Sequence, residues 1–324
     1  MRYDLLDKKK KKLDDLRPLS SELTKNLEEW FKVELTYTSN AIEGNTLSRK
    51  ETAIVVEKGL TIGGKTLVEH LEATNHAKAL DVINKLAKKK YYEITERDIL
   101  AIHYAILYGI DDYNAGHYRH VPVRISGSSV IMPNPAKVPL LMTDFISWLN
   151  RGKNIHPVEL AGEAHYRLVT IHPFSDGNGR TARLLMNLIL VMEGYPPAII
   201  RPQERLPYIT SLEIAQLGGS KEKYQKIIYN AANRSLDIYL KAIMGEEPSD
   251  IGKSERLMKI GELAKAVNEN VSTIRFWTKV GLLEIADITD SNYQLYSQEA
   301  LERCKKIQQL KKQRATINEI KDKL

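Results

Sequence analysis

A mainly α-helical chain, with one β-hairpin and a small C-terminal helix-turn-helix domain, is predicted by three features of the sequence. Apolar residues recur at helical spacing through most of the first 245 positions. Two short strand-prone runs, Val121-Pro122-Val123-Arg124-Ile125 and Val130-Ile131-Met132-Pro133, flank Ser126-Gly127-Ser128-Ser129, a turn signal. A Gly/Glu/Pro/Ser-rich stretch at 246–257 then separates the last residues, 258–324. The chain has 324 residues, enough for two or three domains and for a core that needs no disulfide. Its single cysteine, Cys304, excludes an internal disulfide, fits a reducing compartment and reads as a small apolar residue in a helix.

The formal net charge of +7 suits acidic partners without specifying one. Part of the excess is the run Lys8 to Lys12, followed by Leu13-Asp14-Asp15-Leu16-Arg17 instead of the apolar segment of a signal peptide, so it reads as a solvated, frayed helix start. The longest apolar run, Leu184 to Met192, is broken by Asn187 and is too short to span a bilayer. These features predict a soluble, cytoplasmic protein with no membrane partner.

Four regions follow from the punctuation: an N-terminal helical region (1–92), a core (93–245), a linker (246–257) and the C-terminal module (258–324). Leu23, Leu27, Trp30, Phe31 and Leu35 mark a helix ending at Gly44. Ser48-Arg49-Lys50-Glu51 is a capping box for the next. Further helices are predicted over about Val68 to Lys88, from Thr95-Glu96-Arg97-Asp98 to about Tyr108, over Val138 to Asn150, over Pro157 to Ile171 and, strongly apolar, over Thr181 to Glu193. More helix follows to about Met244.

The segment His172-Pro173-Phe174-Ser175-Asp176-Gly177-Asn178-Gly179-Arg180-Thr181-Ala182-Arg183 carries the chemistry. Gly177 and Gly179 let backbone N–H groups approach an anion closely, and the next helix directs its positive end at the same spot. Arg180 and Arg183 share the first turn, an awkward placement without an anion. Asp176 offers a hard oxygen for Mg²⁺ on phosphates. His172 can take a proton from a hydroxyl near neutral pH. A plain helix–helix turn explains any one of these residues, but not the set. No Gly-Lys-Ser/Thr follows, so the loop is not a Walker A motif.

These residues match the Fic signature, His-Pro-Phe-x-Asp/Glu-Gly-Asn-Gly-Arg-x-x-Arg, at every fixed position, and the chain resembles Fic proteins over about 30–245. The resemblance implies a helical core with a β-hairpin flap, and AMP transfer from ATP to a Ser, Thr or Tyr hydroxyl of a protein, the chain itself included. It implies that His172 is the base, that Phe174 anchors the loop, that Asp176 holds Mg²⁺, that Gly177, Asn178 and Gly179 form the anion hole, and that Arg180 and Arg183 grip phosphates. The flap at 123–131, with Gly127 at its turn on the ATP side, would hold the target segment by strand addition. Arg205, Tyr208 and Gln216 fall where the family builds its adenosine wall, although relatives often carry Asn in place of Gln216.

Glu43 sits at a helix C-terminus, where a negative charge opposes the dipole. Alone it reads as an ordinary surface glutamate. Yet Ser39-Asn40-Ala41-Ile42-Glu43-Gly44 resembles the inhibitory motif of Fic proteins with an N-terminal inhibitory helix. That resemblance implies autoinhibition by a Glu43–Arg183 pair, and in some relatives the same glutamate assists AMP removal. His156 and His165 lack further ligands to form a transition-metal site with His172.

In the C-terminal module, Ile260-Gly261-Glu262-Leu263-Ala264, a turn at Asn268-Glu269-Asn270 and Thr273-Ile274-Arg275-Phe276-Trp277 have helix-turn-helix spacing. With Gly281-Leu282-Leu283 and Tyr293-Gln294-Leu295-Tyr296 they resemble a MerR-type winged helix over 258–324. The wing equivalent, Ala286 to Gln294, has two acids and no base, and the module holds 12 Lys and Arg against 9 Asp and Glu. DNA binding, protein docking and homodimerisation stay open. Two function classes therefore stand: a protein adenylyltransferase using ATP and Mg²⁺, and a DNA-binding regulator whose Fic core senses nucleotide. A third keeps the fold and transfers a different phosphate-linked group.

Overall fold

The computed structural model describes residues 3–152, 154–245, 258–285, 287–288, 294–296, 298–313, 317 and 319–320. Two compact units divide the chain: Met1–Pro202 with Tyr208–Glu247, and Gln203–Pro207 with Pro248–Leu324.

The first unit opens with α1 (Asp4–Asp15), which carries the lysine run. The frayed start expected there is instead a docked helix. Leu6 and Leu13, seven residues apart, are fully buried, and Lys9 reaches Asp237 at 2.6 Å. α2 (Ser21–Ile42) starts at Ser20, whose side chain accepts from the Leu23 N–H, and ends with Glu43 as its C-terminal cap. α3 (Arg49–Lys58), α4 (Leu67–Leu86) and α5 (Glu96–Leu107) each begin with a reciprocal capping box, Ser48/Glu51, Thr66/Glu69 and Thr95/Asp98. α6 (Val138–Asn150), α7 (Pro157–Ile171), α8 (Asn178–Met192), α9 (Arg205–Gln216) from Tyr208 onward and α10 (Glu222–Ile243) complete the unit.

α8 is the axis. Every residue from Arg180 to Leu190 is buried, and α2, α4, α5 and α7 pack around it. A helix apolar on all sides must be enclosed, and this is how the run Leu184 to Met192 is accommodated. One continuous core runs from Leu6 to Leu240, so packing does not break at 92/93.

The flap departs from its expected form. Gly127 makes the turn at φ +76°, and the Ser128 N–H bonds the Ile125 carbonyl at 3.1 Å. The arms on either side have no regular secondary structure and form no ladder, and the one sheet among the described residues lies in the second unit. A lone two-stranded ribbon is marginal in water, and these arms are fastened to the helical body instead of to each other.

The second unit holds β1 (Met258–Lys259), α11 (Ile260–Ala266), α12 (Val271–Lys279), β2 (Asp287–Ile288), β3 (Gln294–Tyr296) and α13 (Gln298–Lys312). β3 pairs antiparallel with both β1 and β2. Asn268, at φ +53°, turns the chain between α11 and α12. Leu263, Ile274, Trp277, Tyr296 and Cys304 form its core, and burial pushes the Cys304 thiol up to about 12. The expected linker, 246–257, and most of the wing lie outside the described residues. No helix among the described residues is long and apolar enough to cross a membrane.

Candidate active site

α7 ends when His172 adopts the left-handed conformation, φ 51° and ψ 59°, with its N–H still bonded to the Leu168 carbonyl at 2.9 Å. That is uncommon for a residue with a side chain, and it swings the chain away from the helix axis. Phe174 then plunges into the core, fully buried and stacked on His103 with ring centroids 3.6 Å apart. Asn178 closes the loop: its Oδ1 accepts from the Phe174 N–H and its Nδ2 donates to the Phe174 carbonyl, both at 2.9 Å. Its side chain is thus committed to loop shape, and only its backbone is left to serve the anion hole expected of it.

His103 is a second fastener. Its Nδ1 accepts from the Gly116 N–H at 3.0 Å, so its Nε2 carries the proton and donates to the Asp176 carbonyl at 3.0 Å. Burial lowers its pKa to about 4, which keeps the ring neutral.

His172 Nδ1 lies 3.3 Å from the Val169 carbonyl and must donate to it. The Nε2 lone pair is then the proton acceptor, the tautomer a general base needs. Burial lowers the His172 pKa, the Val169 contact opposes this, and the Arg119 charge adds to the lowering. The ring is therefore neutral at pH 7.

Gly177, at φ +74°, is the N-cap of α8, and no side chain caps this helix. Its N-terminal dipole and first-turn N–H groups suit an anion. Both arginines are buried beneath, and each is held by a carboxylate. Arg180 donates to Glu72 at 2.8 Å and to Asp176 at 3.2 Å. Arg183 donates to Glu43 at 2.6 Å, to Ser39 Oγ at 3.0 Å and to the Ser39 carbonyl at 2.9 Å. Burial acts against the Arg183 charge, but Glu43 and Tyr208 more than offset it. A Cβ placed on Gly179 would fall on the Glu43 carboxylate, so α2 already crowds the cradle.

The Asp176 side chain is 69% exposed, and its Oδ1 accepts from the Gly177 N–H at 2.6 Å. Among the described residues no three His, Cys, Asp or Glu side chains converge on one point. A single outward carboxylate beside an anion cradle fits Mg²⁺, which takes few protein ligands and completes its shell with phosphate and water.

The remaining expected residues lie on α9 and at the flap. Tyr208, on α9, is buried and donates to His165 Nε2 at 2.6 Å, while Arg183 bonds its hydroxyl from the other side. Tyr224 donates to the Gly162 carbonyl at 2.8 Å, so His165 Nδ1 donates to Tyr224, also at 2.8 Å. Both His165 nitrogens are thus used in positioning Tyr208. Gln216 donates to Thr170 at 3.3 Å, where α9 meets α7. Arg205 opens α9. Gly127 lies at the flap turn, which Glu213 fastens to α9 by accepting from Ser128 Oγ at 3.0 Å and the Ser129 N–H at 2.8 Å. His103, Arg119, Glu72 and Glu213 carry no signal in the sequence spacing. Their partners lie 53 to 108 residues away.

This signature loop on a central helix, faced by the Glu43 carboxylate, agrees with what similar proteins are. The Fic/DOC family matches residues 93–190, and the MerR HTH family regulatory protein family matches residues 258–324. The protein adenylyltransferase Fic of Culex quinquefasciatus is 37% identical over 270 residues, covering 83% of this chain and 52% of that protein. Its counterpart in Aedes aegypti is 39% identical over 241 residues, covering 74% and 48%. Among solved structures, Fic-1 (residues 134–508) from C. elegans superposes with a TM-score of 0.67 at 34% identity, covering 74% of this chain and 72% of that one. A Fic domain containing signaling protein from Bacteroides thetaiotaomicron gives 0.69 at 30%, covering 76% and 100%. The chain belongs to the Fic family. It spans about half the length of the curated relatives it matches.

Proposed function

We propose that the protein transfers AMP from ATP to a hydroxyl of a protein, and that Glu43 holds this activity off. The observation that carries the reading is the pairing of a neutral base, His172, with an uncapped helix N-terminus above two buried arginines. The target hydroxyl gives its proton to His172 Nε2 as its oxygen attacks the α-phosphorus. The bond from that phosphorus to the bridging oxygen of the β-phosphate breaks, and pyrophosphate leaves. The first-turn N–H groups of α8 stabilise charge developing on the α-phosphate, and Arg180 and Arg183 bind the outer phosphates. Asp176 would hold Mg²⁺, which supplies charge neutralisation on the phosphates. The arms at 121–134 suit a target segment added as a strand, because no ladder pairs them with each other.

In the resting arrangement Glu43 takes the guanidinium that the γ-phosphate needs. Ser39 and Tyr208 hold the same group, so relief requires α2 to move and leaves Tyr208 in place. The reading is tested with α- and γ-labelled ATP on the full chain. Label on protein from α-labelled nucleotide supports AMP transfer. Label from the γ position alone sinks it in favour of phosphoryl transfer.

For the second unit we infer duplex DNA as the partner. α12 leaves Ser272, Arg275 and Lys279 exposed on one face. Two cations imply a shallow salt dependence, a log–log slope of about −2. A duplex titration that shows no binding at low salt would leave protein docking.

A further inference from the structure

Arg119 is 2% exposed, and no carboxylate pairs with it among the described residues. Burying an unpaired cation is costly, so the fold must gain something that an apolar residue of similar size would not give. Its guanidinium joins three carbonyls from three places in the chain. Nε donates to His172 at 2.8 Å, Nη2 to Pro133 at 2.7 Å and Nη1 to Val121 at 3.2 Å. Its backbone N–H donates to the Pro173 carbonyl at 2.9 Å. Val121 and Pro133 are the two ends of the flap. His172 and Pro173 are the left-handed turn that presents the base.

The planar fork therefore fixes the flap's roots and the base's backbone to one rigid group. A lysine offers a charge here but cannot reach three divergent acceptors in fixed directions. A base within hydrogen-bond reach of a hydroxyl acts only while both stay in register. The flap arms make no ladder with each other, so their placement depends on such anchors.

We propose that Arg119 is a positioning residue that ties the target-holding flap to His172, so that a hydroxyl carried by the flap meets the Nε2 of the base. The proposal rests on the AMP-transfer reading above. It gives a role to a side chain that touches neither the nucleotide cradle nor the inhibitory pair. Burial chiefly lowers the His172 pKa; the Arg119 charge adds to that lowering against the Val169 contact and the Glu43 and Asp176 charges, which adds a second, separable consequence.

The experiment compares Arg119→Lys and Arg119→Met with their parent, Glu43→Gly, in the full chain. Arg119→Lys should lower kcat for labelling from α-labelled ATP roughly 100-fold, the cost of an ångström-scale misplacement, with the Kd for ATP within about twofold of the parent. Its acid limb in the pH profile should stay where it is. Arg119→Met should lose activity likewise and move that limb to higher pH. Activity of Arg119→Lys within about threefold of the parent, or a matching loss of ATP affinity, overturns the proposal. Hydrogen exchange on the unsubstituted chain gives a reading independent of activity and of the variants' folding. Peptides over 119–124, 130–134 and 172–177 should open as one unit, and independent opening of the flap ends overturns the tie. If the parent transfers no label but these peptides open together, it is the functional reading that fails and not the tie.

Discussion

Glu43 Oε1 takes a 2.6 Å hydrogen bond from Arg183, a side chain 140 residues away and almost fully buried beneath the first turn of α8. Glu43 is itself the C-terminal cap of α2, where the helix dipole disfavours its charge. Arg183 removes that disadvantage. The pair fixes the end of one helix over the start of another, and over the spot where an anion would bind.

A parallel contact lies one turn away. Glu72 accepts from Arg180 at 2.8 Å and from Asn45 Nδ2 at 2.9 Å, so it joins the second arginine to the loop just after α2. Glu72→Gln removes the nearer of the two carboxylate charges held against buried Arg180 and leaves Asp176, at 3.2 Å, as its ionic partner. Stability to urea should fall by about 3 kcal/mol. Basal self-labelling should rise even with Glu43 intact, because the loop loses one of its anchors and keeps those on Glu69 and Lys65. A loss below about 0.5 kcal/mol would mean that the contact is not held in solution.

Gly179 should couple to Glu43. Its added Cβ would meet the Glu43 carboxylate and, at 3.1 Å, Arg183 Nη1. Gly179→Ala should therefore cost more in the wild type than in Glu43→Gly, by at least about 1 kcal/mol in a double-mutant cycle read by thermal unfolding. Additive effects would place Glu43 away from the cradle.

Acid should destabilise the larger unit well above the carboxylate range. His76 and His165 have pKa values near about 3, and His103 near about 4, each lowered chiefly by burial from 6.5. All three are neutral when folded and protonate on unfolding. Their contribution is complete above pH 6.5 and is lost as pH falls toward those folded values, at up to about 1.4 kcal/mol per pH unit for each ring. Tm should drop steadily from pH 6.5 to 4.5, and His103→Asn should flatten that slope. A Tm constant over this range would contradict neutral buried rings.

The signature loop was legible because it is contiguous. His172, Asp176, Gly177, Gly179, Arg180 and Arg183 sit within twelve residues, and the caps Ser48/Glu51 and Thr95/Asp98 are three residues apart. Local spacing dictates local geometry in both cases. What holds the site in place was not legible. Arg119 and His103 reach the loop from 53 and 73 residues away, and Glu72 reaches Arg180 across 108. Nothing in periodicity encodes such meetings. Strand-prone composition also misled at the flap: β-branched residues there serve irregular arms fastened by Arg119 and Glu213, with no ladder. The Lys8–Lys12 run misled too, since its charge drew the reading away from Leu6 and Leu13 on the other face of α1.

Tyr208, His165 and Tyr224 form a hydrogen-bonded chain that ends on Arg183. The Tyr208 hydroxyl, with its pKa raised to about 12 by burial, stays protonated toward His165 and leaves its oxygen for Arg183. Tyr208→Phe removes a hydrogen bond to Arg183 that comes from α9 and not from α2. ATP affinity in Glu43→Gly should fall about tenfold on this substitution, measured by calorimetry. Unchanged affinity would assign Tyr208 to packing alone.

The most direct measurement is transfer of label from α-labelled ATP with Mg²⁺ to protein, in wild type, Glu43→Gly and Glu43→Gly/His172→Ala. The expected result is little label on the wild type, at least about tenfold more on Glu43→Gly, as befits loss of a charge-assisted contact, and none on the double variant. Equal labelling of wild type and Glu43→Gly would contradict inhibition by the Glu43–Arg183 pair, and label that survives the loss of His172 would contradict its place as the base.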